Sequence, residues 1–320
     1  MKLLCPDPKI FSSEALELIK KNFLSNIKDL TQSNFNKIGK NYNIIFTRFT
    51  KYIGSEIMSK NTKVKYILTP TTNPEDYIDL NLARKRKIKV FSLKNDGGFL
   101  KSIPATAEHT FLLILALSRN LIEATESTSL KKWNPGDFKG QELKGKTLGI
   151  IGLGRLGKKV ASFAKTFEMN VIFYDKKIQK NNKFQKVSSI YKLVSMSDII
   201  TIHASLNNET FHLINKKVLS RFKKNSILIN TARGSIIDSN ALIDSLKKKK
   251  IKGAAIDLIE DEFFVYKKKR EPLLSYAKKN SNILITPHIG GFTEESVKKT
   301  DLFILKKFND FLLKNKSKQK

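Results

Sequence analysis

Three polar clusters in the second half of the chain carry the residue types that could do chemistry: Asn230-Thr-Ala-Arg233-Gly, Asp257-Leu-Ile-Glu-Asp-Glu262 and Thr286-Pro-His288-Ile-Gly-Gly. Each follows a short apolar run of strand length, and in a parallel sheet the carboxyl ends of such strands converge on one crevice. An arginine there can clamp a carboxylate in a bidentate way. A histidine can exchange a hydroxyl proton, and a nearby carboxylate can orient it and stabilise its protonated form. Taken singly, His288 reads as a structural histidine and Arg233 as half of a surface ion pair. Taken together they form a coherent acid/base and anion-binding set.

A second constellation lies upstream, in the stretch from Lys146 to Asp175. The apolar run Thr147 to Ile151 feeds into Gly152-Leu-Gly154-Arg155-Leu156-Gly157, an amphipathic segment follows, and a second apolar run ends at Asp175. This is the order strand, glycine turn, helix, strand. Gly152 permits the tight turn, Gly154 admits a pyrophosphate to the backbone, and Gly157 lets the helix pack close to the strand. The helix N-terminus offers its N–H groups to the phosphates. Asp175, 18 residues past Gly157, can accept hydrogen bonds from an adenosine ribose, which favours NAD over NADP. Lys176 and Lys177 follow directly and weaken that preference. The bland alternative is a glycine turn of an α/β fold with no nucleotide.

The elements that must position these groups are legible in outline. Residues 1–100 alternate short strands and helices: Lys2 to Leu4, Ser12 to Asn22, Asn43 to Thr47, Ile53 to Ser59, Val64 to Leu68, Tyr77 to Arg86 and Ile88 to Leu93. Such alternation implies a parallel sheet with helices on both faces. Its loops at Leu68 to Asn73 and at Asn95 to Gly98 follow strands, where ligands bind in such sheets, although both would also serve as ordinary turns. An apolar helix follows from Pro104 to Arg119, apolar nearly all round and hence expected between domains or against a second subunit. Strands are expected at Ile199 to His203, Ile227 to Asn230, Gly253 to Leu258 and Ile283 to Thr286, with a helix capped by Asp238 among them. The tail from Thr293 to Leu313 has helical spacing of Val297, Leu302, Ile304, Leu305, Phe308 and Leu312, and is expected to pack back onto the first domain.

Composition excludes several classes. The chain has 320 residues, 40% of them hydrophobic, and a formal net charge of +31. Its basic runs, Arg84 to Lys87, Lys247 to Lys250 and Lys267 to Arg270, are dispersed and lack interleaved aromatics, so nucleic-acid binding is not expected. A positive field that steers anionic ligands is. The apolar run Phe111 to Leu117 is far shorter than the roughly 20 residues of a spanning helix, so no membrane association is expected. The N-terminus, broken by two prolines, has no signal-like core. A cytoplasmic location follows as the expectation; with the chain ending near residue 320, no regulatory domain is expected after the catalytic core. The single cysteine, Cys5, has no disulfide partner and no zinc-ligand companions, so no metal site is expected.

These segments resemble the D-isomer-specific 2-hydroxyacid dehydrogenase family. The resemblance covers nearly the whole chain, through GLGRLG at 152–157, SDIITIH at 197–203, INTARGSIID at 229–238, AAIDLIEDE at 254–262 and TPHIGG at 286–291. It implies two doubly wound parallel-sheet α/β domains: a Rossmann NAD-binding domain, residues 103–291, inserted in a flavodoxin-like substrate domain, residues 1–102 and 292–320. It further implies that Arg233 binds the carboxylate and keto oxygen of a small D-2-hydroxy or 2-keto acid, that His288 is the acid/base, and that Glu262 pairs with His288. The site would lie between domains that close on substrate. NAD would be held by Gly152, Gly154, Arg155, Leu156, Gly157, Asp175, His203, Thr231, Ala232, Asp257 and Gly290, and the substrate by Thr72, Asn73, Gly97, Gly98 and Arg233. Similar enzymes are dimers built on the nucleotide domain. Phosphoglycerate is a candidate substrate, and an NAD(H)-sensing binding protein without turnover is the alternative function.

Three departures from the family pattern stand out. Phe263 follows Glu262 where proline is usual, a Glu-Pro pair occurs later at Glu271-Pro272, and Glu260 and Glu271 remain alternatives to Glu262. Ser205 stands where many members have proline. The loops at 70–73 and 96–103 are not of the common form, which leaves the substrate open.

Overall fold

The computed structural model describes residues 1–262 and 271–317. The chain divides into two compact units, Met1–Ile103 with Thr293–Lys320, and Pro104–Phe292.

In the first unit the strands are β1 (Lys2–Cys5), β2 (Leu24–Ile27), β3 (Ile44–Phe46), β4 (Tyr66–Leu68) and β5 (Lys89–Phe91). The helices of that stretch are α1 (Ser13–Asn22), α2 (Gln32–Gly39), α3 (Leu80–Lys85) and α4 (Gly97–Leu100). Among the described residues the sheet has the order β2-β1-β3-β4-β5, and every pairing is parallel. That is the flavodoxin-like order, with a topological switch at β1 and β3. The strands β1, β3 and β4 are short Leu, Ile and Phe runs because both faces are covered. The C-terminal helix α12 (Glu294–Ser317) covers one of them: Ile304, Leu305 and Phe308 share a core with Leu3, Ile44, Phe46 and Phe91.

Several local expectations are corrected here. Ile53 to Ser59 is not a helix but a series of turns, with Ile53 bridged to Ile78. Ile53, Ile57 and Met58 are wholly buried, so their helix-like spacing reflects tertiary packing, while the backbone of Ile53 is engaged by Tyr77 and Asp79. The sequence reading also omits β2 and α2. β2 is an edge strand of sequence LSNI with Leu24 exposed, too polar to announce itself by pattern. The loop expected at Asn95 to Gly98 instead enters the short helix α4.

A buried ion pair ties this unit together. Arg48, just past β3, meets Asp301 of α12 at 2.6 Å and also donates to Thr300 Oγ1 at 3.0 Å and to the carbonyl of Pro70 at 3.3 Å. The second oxygen of Asp301 accepts from the backbone N–H and hydroxyl of Ser12, the N-cap of α1. One carboxylate therefore joins α1, α12, the end of β3 and the loop after β4.

The second unit contains α5 (Ala105–Ser118), α6 (Leu121–Ser129), β6 (Thr147–Ile151), α7 (Arg155–Thr166), β7 (Asn170–Tyr174) and β8 (Gln185–Lys186). It continues through α8 (Ile190–Met196), β9 (Ile199–Ile202), α9 (Lys216–Leu219), β10 (Ile227–Asn230), α10 (Ser239–Lys247), β11 (Gly253–Ile256), α11 (Pro272–Ala277) and β12 (Ile283–Ile285). Among the described residues the sheet order is β12-β11-β10-β9-β6-β7-β8, again parallel throughout. β6 and β9 are neighbours at the reversal of strand order, as in dinucleotide-binding folds. The apolar α5 is buried within this unit, against α7, β10 and β11. Asp238 caps α10 by accepting from the N–H groups of Asn240 and Ala241.

Removing one member of a buried pair leaves the other charge unpaired, so Asp301→Ala should lower the unfolding free energy by about 3–5 kcal/mol. Urea denaturation followed by circular dichroism would measure it, and replacing both partners by apolar residues, Arg48→Met with Asp301→Leu, should recover most of the loss.

Candidate active site

The glycine turn after β6 is built on backbone-to-backbone approach. Gly152 sits at φ +91°, and a Cβ on it would come within 2.9 Å of the backbone of His203 and Ala204. A Cβ on Gly157 would lie 2.2 Å from the carbonyl oxygen of Gly152. Around Gly154, by contrast, there is open space, and this N-cap has no side chain to occupy the N–H groups of the first turn of α7. The turn is thus closed where the chain packs on itself and open where an anionic group would approach, which fits a pyrophosphate. Arg155 and Leu156 stand in that first turn, both half-buried.

Asp175 at the end of β7 braces the same turn. Its Oδ2 accepts from Leu153 N at 2.8 Å, and its Oδ1 accepts from Lys177 N at 2.8 Å and Ile178 N at 2.9 Å. A cleft of about 310 Å³ opens beside it, lined by Gly152, Gly154, Asp175, Lys177, His203 and Thr210 among others. Lys176 and Glu209, also on its walls, form an ion pair of 3.1 Å. The ring of His203 is buried, with Nε2 on Thr201 Oγ1 at 2.9 Å, and burial pushes its pKa down to about 3. It is neutral at working pH, so its contribution to the cleft is backbone and shape rather than charge.

The three polar clusters sit at the carboxyl ends of β10, β11 and β12. Asn230 is fully buried and closes the first turn, donating to the Arg233 carbonyl at 2.9 Å and accepting from Ala232 N at 3.0 Å. Thr231 is held by the hydroxyl of Thr110 on α5 at 2.8 Å. Arg233 is half-buried and donates through Nη1 to the Ala232 carbonyl at 2.5 Å. Gly234 is where this turn meets the next: a Cβ there would lie 2.1 Å from the carbonyl carbon of Ile259 and 2.4 Å from Glu260 N. That contact sets Arg233 beside the segment that carries Glu262.

His288 and Glu262 are paired, Nδ1 to Oε1 at 2.8 Å, with both side chains about a quarter exposed. Of the two alternatives, Glu260 contacts His212 Nε2 at 3.3 Å, and Glu271 is buried as the N-cap of α11, accepting from Leu274 N at 2.6 Å. Phe263 and the basic run Lys267 to Arg270 lie outside the described residues.

Asp257, expected to face the cofactor, directs its carboxylate into the protein. It accepts from Thr286 Oγ1 at 2.5 Å, Ile289 N at 2.9 Å and Gly290 N at 2.8 Å, and meets His109 Nε2 at 3.3 Å. A Cβ on Gly290 would lie 2.8 Å from Asp257 Oδ2, so a bare glycine is needed beside the carboxylate. His109 and Thr110, both from α5, are absent from the sequence-based site. Their helix reads as apolar packing, and only the polar Glu-His-Thr within it signals otherwise.

In the first unit, Thr72 and Asn73 are half-buried in the loop after β4, and Gly97 and Gly98 are exposed in α4. The two loops adjoin, since Leu93 N donates to the Thr71 carbonyl at 2.8 Å. No atom lies within 4 Å of a Cβ built on Gly97 or Gly98, so packing does not demand glycine at either.

Comparison with known proteins agrees with this geometry. The family model described as D-isomer specific 2-hydroxyacid dehydrogenase, NAD binding domain, matches residues 111–290. The chain is 34% identical over 303 residues to a D-3-phosphoglycerate dehydrogenase of Methanocaldococcus jannaschii, covering 93% of this chain and 55% of that protein. It is 38% identical over 263 residues to a glyoxylate reductase of Thermococcus litoralis, covering 79% of this chain and 75% of that one. The chain thus spans about half the length of the phosphoglycerate dehydrogenase it matches. Among solved structures, a D-lactate dehydrogenase from Aquifex aeolicus complexed with NAD and lactic acid superposes with a TM-score of 0.81 at 27% identity, over 99% of this chain and 97% of that one. By fold, by glycine cradle and by these similarities, the chain belongs to the D-isomer specific 2-hydroxyacid dehydrogenases, with the NAD-binding domain of that family.

Proposed function

We propose that the protein is an NAD-dependent oxidoreductase that moves a hydride between C4 of nicotinamide and C2 of a small D-2-hydroxy acid or its 2-keto acid. The observation that carries this reading is the His288–Glu262 pair at 2.8 Å, on strand ends that neighbour Arg233 and follow the dinucleotide cradle in the same sheet. The cofactor supplies the two-electron donor or acceptor, and everything else falls to side chains. Arg233 offers a planar donor fork to the substrate carboxylate and keto oxygen. With Nδ1–H committed to Glu262, Nε2 of His288 is the ring nitrogen assigned to the substrate: it gives a proton to the C2 oxygen during reduction and takes one during oxidation. Glu262 fixes that tautomer and balances the imidazolium charge. Thr72, Asn73, Gly97 and Gly98 are assigned to the substrate, and Thr231, Ala232 and Gly290 to the nicotinamide end.

Asp175 favours NAD, since a 2′-phosphate would meet its charge. The similarity to phosphoglycerate dehydrogenases and the net charge of +31 make 3-phosphoglycerate the first substrate to try, and glyoxylate the second. We also assign a homodimer built on the nucleotide-binding unit through α5 and the segment 120–140, where Leu112 and Trp133 are exposed to 53% and 88%. An NAD(H) sensor without turnover has less support, as it would not require Arg233, Glu262 and His288 together.

Three outcomes are expected. With a panel of 2-keto acids that includes phosphohydroxypyruvate, NADH oxidation should be observed for wild type, and His288→Ala should lower kcat by about 10²–10⁴-fold while NADH still binds; absence of wild-type turnover despite tight NADH binding would instead favour the sensor. Gly157→Ala should abolish NADH binding by fluorescence titration, because the new Cβ meets the Gly152 carbonyl at 2.2 Å. Trp133→Lys should shift sedimentation toward a monomer.

A further inference from the structure

The turn that presents His288 places it in a backbone conformation less common than the extended or right-handed ones. His288 has φ +56°, in the left-handed region that non-glycine residues seldom occupy, so the surroundings must hold it there. Besides His288 N to the Thr286 carbonyl at 3.0 Å and Thr286 N to the Ile256 carbonyl at 3.0 Å, most of the bonds that hold the turn converge on Asp257. Asp257 receives His288 N on its backbone carbonyl at 2.8 Å, and its carboxylate receives Thr286, Ile289 and Gly290, the residues on either side. All three are donors, so the carboxylate can satisfy them only as an anion. Protonating it would turn an O–H donor toward groups that are themselves donors.

Asp257 is 1% exposed, and burial without a partner would drive its charge off. Apart from the turn itself, the donor that reaches it is His109 of α5, whose Nε2 lies 3.3 Å from Asp257 Oδ1 and 3.1 Å from Thr286 Oγ1. As the Nε2–H tautomer, His109 donates to the Thr286 hydroxyl and faces the carboxylate to which that hydroxyl in turn donates. Burial pushes the Asp257 carboxyl up, but the hydrogen bonds from His109, Thr286, Gly290 and Ile289 outweigh it and hold the group below its ordinary value. Two titratable contacts bear on the cluster: His109 from α5 meets Asp257, and His288, on the turn itself, is paired with Glu262. Because α5 is buried over most of its surface, His109 is presented from a rigid element and not from a loop.

We propose that His109 is a positioning residue for the reaction: its Nε2–H keeps the Asp257 carboxylate seated against the turn that presents His288. The inference rests on the reading of His288 as the acid/base group. His109 touches neither reacting atom. It acts through Asp257, so its loss should be felt in kcat and in the pH profile more than in cofactor affinity.

The test compares His109→Gln, which keeps an N–H donor at similar reach, with His109→Met, which keeps similar bulk without one. Thermal melts establish that each variant folds. His109→Met is expected to lower kcat roughly tenfold or more, with KM for NADH within about twofold. Its acid limb of kcat should move to higher pH, because a carboxylate that loses a donor is protonated more readily and the turn loosens sooner as pH falls. His109→Gln should restore most of kcat and the wild-type limb. The chain has four histidines, so the His288 ring can also be followed by NMR without substrate, and its resonance should move in the Met variant alone. Wild-type kcat, limb and His288 resonance in folded His109→Met would overturn the proposal. Equal loss in both variants would overturn it too, by making bulk rather than the N–H decisive. His288→Ala is run in parallel: if it remains active, the acid/base reading fails on its own, and the NMR comparison still judges His109.

Discussion

The second unit is organised around a buried anion. Taking a carboxylate out of water costs several kcal/mol unless donors replace its hydration, and Asp257 is almost wholly removed from solvent. Its position at the end of β11 lets it recruit those donors from the turn after β12 and from the side of α5. The consequence is geometric as well as energetic. A turn of five residues, including a histidine in a left-handed conformation, is held largely by the side chain and carbonyl of one residue, and His288 inherits its place from that arrangement. An analogous role in the first unit belongs to Asp301, which joins two helices to the end of β3. In both units a carboxylate at 0–1% exposure fastens elements that are far apart in sequence.

Glycine supplies the complementary constraint. At Gly152, Gly157 and Gly234 the chain runs so close to another backbone segment that no Cβ fits, and each contact orients a functional loop. Gly234 brings the Arg233 turn against Ile259 and Glu260, two residues before Glu262. The spacing of arginine and glutamate in the folded site therefore follows from a contact between main chains, with side chains following.

Much of this was legible beforehand. Long apolar runs after which polar residues recur are a strong signal for buried parallel strands, and they place β6, β9, β10, β11 and β12 within two residues of their observed ends. The glycine loop was legible because its spacing, its flanking strands and Asp175 constrain one another. What escaped was weaker locally. β2 and α2 are short and polar, and Ile53 to Ser59 carries a helix-like apolar spacing that serves tertiary burial. The five-residue spacing of Glu262 from Asp257 fits the family pattern and favours it over Glu260 and Glu271. Contacts with His212, His288 and Leu274 N separate them.

The sequence by itself determined the α/β architecture, the dinucleotide cradle and the order of arginine, glutamate and histidine, because each depends on patterns of neighbours along the chain. Only the tertiary structure decided that Asp257 turns inward and that His109 and Thr110 of an apolar helix meet Asp257 and Thr231. Those outcomes depend on which donor reaches which buried acceptor across more than a hundred residues of intervening chain, as between His109 and Asp257. No local pattern encodes such a contact, since hydrogen-bond satisfaction in the interior is settled by packing and not by spacing.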